Sequence, residues 1–462
     1  MNHLRALAEF IYDLRYESVP GEVVSKLRLS ILDTIGCALH GAGTTWGQLV
    51  GEYAGHAQGA CAIWATGASV DAGSAALANG TMVHSFEMDD LHLPSRSHPG
   101  GVTIPVVFAL AADGTKVGGR AALVALAAGY EIMLRVGMCQ GVSSFDRGWH
   151  PTGTAGCFGS TASAAKALGL SADAIQHALG IGGTMPCGLM AAQYGAMVKR
   201  LYAGHAAMVG VMAARLAAGG FTGIPDIFDV EFGGYPRAVS DDVDLTWLSR
   251  DLGKAFEANN VGLKFYPSVG ASHTTLDALK KILERERVDT AEIEAVTVTT
   301  SEYQKTHGGW HYVPSTIMAA QMSIQYGAAV MLTYGNVSVE HYTSDMIASP
   351  SIISLANKVH VVTNPAQMDQ DRSARVDIRL KNSKVLTEEG RVPRGHLGNP
   401  ATWDDVANKF EVITSRILDK NSQREIVNMV ADFDGLQDIN ILQHRIAPAV
   451  LSASAAVAGE MK

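Results

Sequence analysis

Cysteine is scarce in this chain: five among 462 residues, Cys37, Cys61, Cys139, Cys157 and Cys187. No two of them form a CxxC pair. The sequence therefore offers neither a disulfide framework nor a zinc or iron–sulfur site, and buried, reduced thiols are expected. Charged residues are also few, at 18%, and the balance is acidic, with a formal net charge of -9. That argues against a nucleic-acid partner, and any site for an anionic ligand must be assembled locally from a few placed cations. Reading along the chain finds no apolar run long enough to span a bilayer. The stretch Met1 to Phe10, with Arg5 and Glu9, lacks the apolar core of a signal peptide. The expectation is a cytoplasmic protein with no membrane partner. A GxSxG elbow, a P-loop and a dinucleotide fingerprint after a strand are all missing.

What is plentiful is apolar and small. Hydrophobic residues make up 47% of the chain, enough to bury a sizeable core, and the length favours two or three domains. In Glu22 to Leu39, Val24, Leu27, Ile31, Ile35 and Ala38 recur at steps of three and four, which predicts a helix. Thr152 to Leu168 is a run of small residues ending at Gly169, after which Ser171 caps the next helix with Asp173 in its first turn. Alanine and glycine are so frequent from Ala155 to Gly220 that helices there can pack very closely. Lys166, Asp173, Lys199, Arg200 and Arg215 interrupt that region and favour a buried helical core over a membrane bundle.

The period changes after about residue 285. Val296, Val298 and Thr300 alternate with Thr297 and Thr299, and Val376, Ile378 and Leu380 alternate with Asp377, Arg379 and Lys381, as in half-buried strands. Asn382 and Ser383 read as a hairpin turn into Lys384 to Thr387. Ile317 to Leu332 reads as one helix, and helical patterns return from Trp403 to Ala431. The fold expected is mainly α: a large helical domain from both chain ends, residues 1–259 and 403–462, and a smaller α+β lid domain, residues 260–402.

Four stretches carry residue types suited to chemistry. The first is His84-Ser-Phe-Glu87-Met-Asp89-Asp90-Leu-His92, continuing to His98-Pro-Gly-Gly. Histidine exchanges protons near neutral pH, and carboxylates orient it. The Pro-Gly-Gly turn opens a helix whose amides can meet an anion. Metal ligands are present here by type, but HExxH and HxxEH spacings are absent. The second is Arg147-Gly-Trp-His150-Pro-Thr-Gly-Thr, where a histidine enters a glycine-rich helix start. The third is Cys187-Gly-Leu-Met-Ala-Ala-Gln-Tyr-Gly-Ala-Met-Val-Lys199-Arg200. The fourth is Gly262-Leu-Lys264-Phe-Tyr-Pro, leading to His273. Taken singly, each stretch reads equally well as polar capping, a satisfied histidine or a solvated lysine.

Together and in this order they resemble the MmgE/PrpD family. The likeness runs over nearly the whole chain and includes Glu22 to Gly36, Ala78 to His84, Val392-Pro-Arg-Gly-His, and Asn399 through Trp403 to Lys409-Phe410. It implies a helical domain with a smaller α+β lid, a homodimer, no cofactor and no metal. It also implies catalytic roles for His98, His150, Lys199, Lys264 and Tyr326, with Glu87, Asp89, His92, Arg200 and His273 among the groups around a small di- or tricarboxylate. Those side chains are expected to converge on one pocket. The implied activity is a lyase reaction through a carboxylate-stabilised carbanion. Within the family, three stretches are most similar to the fungal cis-aconitate decarboxylase: Glu87 to His92, Cys187 to Arg200, and Gly309-Trp310 through Ala320 to Ser323. Glu87 stands where many relatives have aspartate. A 2-methylcitrate dehydratase-like reaction, an iminodisuccinate-type epimerisation and a non-catalytic carboxylate-binding role are the alternatives.

Overall fold

The computed structural model describes residues 2–368 and 371–447. It is mainly helical, with one mixed sheet in the second half, which is the fold class expected from the sequence. Contacts divide the chain into two units. One comprises the chain up to Ala191, Met197–Val261, and everything described from Thr402 onward. The other comprises Ala192–Ala196 and Gly262–Ala401. Of the expected helical segment 403–462, residues 448–462 lie outside the described residues.

Seven helices give the first unit its frame: α1 (Gly21–Ala42), α2 (Ala72–Val83), α3 (Gly100–Ala112), α4 (Gly119–Cys139), α5 (Gly156–Ala167), α6 (Val198–Ala218) and α7 (Trp403–Thr414). α2 packs on α3 and α6, and α5 packs on α4 and α6. Small residues set the approach. A Cβ on Gly204 of α6 would sit 2.1 Å from the Leu77 carbonyl oxygen of α2, and one on Gly80 would sit 2.9 Å from Gly204 Cα. Backbones this close exclude every other side chain, so Gly204→Ala forces the two helices apart, with overpacking costs of about 1–3 kcal/mol or more.

Two helices overturn one expectation. α4 and α6 are each 21 residues and apolar enough to cross a bilayer. The reason lies in packing: the apolar 18-residue window of α4 is wholly buried, and so is most of that of α6. Residues covered by protein on all sides need no polar face. The small-residue run at 152–168 also divides. Pro151–Thr154 is a single turn, and α5 begins only at Gly156.

α7 brings the late chain back to the first unit. Thr402 and Asp405 form a reciprocal capping box at its start. It packs on α1, where a Cβ on Gly36 would touch Phe410 at 3.0 Å. Lys409 of α7 enters this contact and is 6% exposed. Its Nζ donates to Asp33 Oδ1 of α1 at 2.5 Å and to the Met88 carbonyl at 2.6 Å.

The second unit holds a four-stranded sheet of β1 (Ile293–Thr300), β2 (Val359–Thr363), β3 (Ala374–Leu380) and β4 (Val385–Gly390), in the order β2-β1-β3-β4. β1 and β2 are parallel, with Val296 opposite Val359. β1 and β3 are antiparallel, with Val298 opposite Val376. The alternation works as expected: Val296, Val298, Thr300, Val376 and Ile378 are buried. Ser383 takes φ +66 in the hairpin turn, and β4 runs on to Gly390. The helix His273–Arg285 packs on β3 and β4. The expected single helix at 317–332 is instead two, Ile317–Gln321 and Ile324–Tyr334. Ser323 explains the break, because its hydroxyl accepts the Tyr326 amide and caps a new helix.

Candidate active site

The acid- and histidine-rich segment lies between α2 and α3, and its geometry follows from one backbone turn. α2 ends at Val83, His84–Phe86 form a 3-10 turn, and Glu87 takes the left-handed conformation at φ +57. That conformation costs a non-glycine residue about 1–3 kcal/mol. It reverses the chain, so that Asp89 returns onto His84 with Oδ2 2.6 Å from Nδ1. Asp89 Oδ2 also lies 3.4 Å from Nδ1 of His98, which is itself 2.6 Å from the Asp90 carbonyl. The His84 ring meets His98 edge-on at 4.8 Å and His150 at 5.8 Å, and His150 lies 5.4 Å from Tyr202. Three imidazoles therefore share one small buried volume with Asp89.

Glu87 is held by two cations. Lys199 Nζ donates to its Oε1, and Arg200 Nη1 donates to the same oxygen at 2.5 Å. Arg200 also reaches the His84 carbonyl at 3.3 Å. Both cations open α6, and all three side chains are buried. Two cations thus converge on one carboxylate, the kind of placed positive charge an anionic ligand requires in an acidic protein, with Asp89 a second anion on the imidazole side.

Burial sets the protonation states. His84 lies below its ordinary pKa because burial outweighs the Asp89 carboxylate beside it. Burial holds His150 well below the usual histidine value, with Lys199, His84 and His98 adding to the effect. Asp90 is pushed up to about 7, again by burial, against the pull of the Gly100 amide. That amide answers one expectation. The N-terminus of α3 already has its anion, the Asp90 side chain, whose oxygens lie 2.9 and 3.1 Å from Gly100 N and accept from Tyr130 at 2.8 Å.

His84, Asp89 and His98 each place a donor atom within 4.8 Å of the others, and two imidazoles with a carboxylate are groups that zinc accepts. Nδ1 of each ring faces an oxygen at 2.6 Å, which leaves Nε2 of each ring as the nitrogen with a lone pair.

Of the residues singled out from the sequence, Glu87, Asp89, His98, His150, Lys199 and Arg200 thus form one constellation. His92 is engaged elsewhere: its Nδ1 meets Ser95 Oγ at 2.8 Å, and its Nε2 lies 3.4 Å from Glu257. Lys264, His273 and Tyr326 belong to the second unit, where all three are buried. Tyr326 donates its hydroxyl to the His341 carbonyl at 2.5 Å, and His273 Nε2 lies 3.3 Å from the Ser268 carbonyl. His84 and Asp90 stand in the first stretch quoted from the sequence but carry no role there; the structure joins His84 to Asp89, and Asp90 to Tyr130 and Gly100. His84 could have been found from a histidine at the end of a small-residue helix, five residues before an acid.

Models of the MmgE/PrpD N-terminal and C-terminal domains match residues 5–247 and 266–435. The chain is 29% identical to the cis-aconitate decarboxylase-like protein oryM of Aspergillus oryzae, over 94% of this chain and 95% of that one. It is 28% identical to the cis-aconitate decarboxylase of Aspergillus terreus, over 93% of both chains. With the human cis-aconitate decarboxylase the identity is 25%, over 95% of this chain and 93% of that one. Both family models match, and between them they account for most of the sequence: the chain belongs to the MmgE/PrpD family, as a distant relative of its cis-aconitate decarboxylases.

Proposed function

We propose that the protein is a cofactor-independent carboxy-lyase acting on a small unsaturated tricarboxylate of the cis-aconitate type. The observation that carries this reading is the grouping of His98 and His150 with Lys199 in one buried volume. Loss of carbon dioxide leaves an electron pair in an allylic anion next to a remaining carboxylate. Such an anion needs preorganised positive charge, and then one proton. Lys199 supplies charge, and the histidine pair supplies the proton. Lys264 of the second unit is proposed as a further carboxylate ligand and Tyr326 as a contributor, both on family likeness. The substrate itself activates the donor: its carboxylates oppose the burial and the cations that keep His150 neutral, and so raise that histidine's proton affinity.

Proton NMR of the enzyme with cis-aconitate, 2-methylcitrate, citrate and iminodisuccinate tests the reading. The expected outcome is consumption of cis-aconitate with an unsaturated dicarboxylate product. Turnover of 2-methylcitrate alone would replace it with a hydro-lyase, and epimerisation of iminodisuccinate with an isomerase. Binding across the panel without turnover would leave a carboxylate-binding protein. Activity is expected to survive dialysis against a strong chelator, and loss restored by zinc, magnesium or iron would end the metal-free assignment.

A further inference from the structure

Two buried imidazole nitrogens of the site, Nε2 of His84 and Nδ1 of His150, have no hydrogen-bond partner among the described residues. Leaving one buried polar atom unsatisfied costs about 1–3 kcal/mol, and native interiors rarely tolerate two on adjacent rings. The ring centres are 5.8 Å apart. Two hydrogen bonds in series through one oxygen reach about 5.6 Å, so rings with centres this close leave room for one oxygen shared between them. The tautomer narrows what that oxygen is. An ionised Asp89 can only accept across its 2.6 Å contact with His84 Nδ1, which assigns the proton to that nitrogen and leaves Nε2 a lone pair. The bridging group must donate to His84, which makes it a water molecule or a hydroxyl and excludes a carboxylate.

We propose that His84, oriented by Asp89, is the proton relay behind His150, linked to it through one bridging O–H group. The proposal rests on the use of His150 as a proton-transfer group. Decarboxylation consumes one proton for each carbon dioxide released, and that proton must reach a volume where His98 and His150 are only 7% and 5% exposed. His150 gives the proton on its substrate-facing Nε2 to the carbanion, forming the new C–H bond. As it does so, the bridging O–H protonates His150 at Nδ1 and recovers a proton from Nε2 of His84, whose imidazolium form is stabilised against Asp89. Both rings are left neutral with their protons on Nδ1. As the next anionic substrate enters, solvent protonates His150 at Nε2 and its Nδ1 proton returns through the bridge to His84 Nε2, which reloads the pair with one proton per turnover. His84 acts through His150 and is a positioning and relay residue.

The first measurement needs no substrate. In full-length protein carrying 15N-labelled histidine, the signal lost in His84→Gln identifies His84. Near neutral pH its proton is expected on Nδ1, and Asp89→Asn should redistribute that proton between the two nitrogens. A proton fixed on Nε2 of His84 in the native chain overturns the proposal, because that nitrogen could then accept nothing. The second measurement is kinetic. His84→Gln should lower kcat by about 10²-fold while leaving KM within about twofold, a split that a merely loosened site would not give. If His84→Gln fails to fold, Asp89→Asn serves both measurements, and an unchanged kcat in either folded variant overturns the relay. Should the chain prove inactive on cis-aconitate, the tautomer still decides the matter. Should the tautomer be wrong while decarboxylation persists, the functional reading stands and only the relay falls.

Discussion

The two units spend their charges differently. In the second, ion pairs such as Arg379–Glu294 at 3.1 Å line the sheet surface, with side chains about half exposed. The first has surface pairs too, such as Arg147–Asp241, but there Glu87, Lys199, Arg200, Asp33 and Lys409 are also paired out of reach of water. Solvent screens the surface pairs to within about 1 kcal/mol of nothing. The buried pairs carry a desolvation cost that hydrophobic replacements would avoid. A protein that keeps charge where it is expensive is using it for something other than stability, and the first unit is where the imidazoles are.

That contrast can be broken in several places. The largest effect is expected at His150. His150→Ala should fold and lose about 10²–10⁴-fold in kcat, and near-full activity in steady-state assays would remove the residue from the mechanism. Next is Glu87→Gln, which leaves Lys199 and Arg200 facing each other without their shared anion. Removing one partner of a buried pair costs about 3–5 kcal/mol, readable as a shift in the urea midpoint. A change below about 1 kcal/mol would show that the cluster is wetter than its burial implies.

Acid sensitivity should also sort the two units. Unfolded histidine protonates near pH 6.5, whereas burial keeps His84 and His150 neutral below that value. The unfolded chain then binds more protons. The stability these residues contribute is present above about pH 6.5 and is lost as pH falls. Each histidine can remove up to about 1.4 kcal/mol per pH unit. His150→Gln should reduce the slope of unfolding free energy between about pH 6 and 5. Equal slopes in both proteins would mean that His150 titrates freely when folded. The smallest effect is expected in the second unit, where Arg379→Ala should change stability by less than about 1 kcal/mol. A larger loss by chemical denaturation would erase the contrast altogether.

Reading the chain alone reached some of this and not the rest, and the dividing line is physical. The strands around Val296, Val298, Val376 and Ile378 were visible because a pleat that buries one face must alternate. Ser323 broke an otherwise continuous helical pattern because its local cap competed successfully with the period. His98, His150 and Lys199 could be singled out by residue type, order and family likeness. The hydrogen bonds of Asp90 to Tyr130 and Gly100 could not be seen, since they join residues up to 40 positions apart through tertiary packing. The pairing of His84 with Asp89 was hidden for a subtler reason. The histidine meets Asp89 only because Glu87 adopts a backbone conformation that glutamate rarely takes, and no periodicity announces that.

The bond from Lys409 to Asp33 spans 376 residues of sequence. A ribosome making about 5–20 residues per second therefore releases the segment that holds Asp89 well before its anchor exists. On that clock the delay is on the order of ten seconds or more after the first unit's earlier strands of sequence have emerged. During the wait, Asp33 and the Met88 carbonyl have no cation, and α1 lacks the apolar cover of Phe410. Assembly of this buried cluster is thus a late event in biosynthesis, and nascent chains stalled short of Lys409 should be natural clients for chaperones.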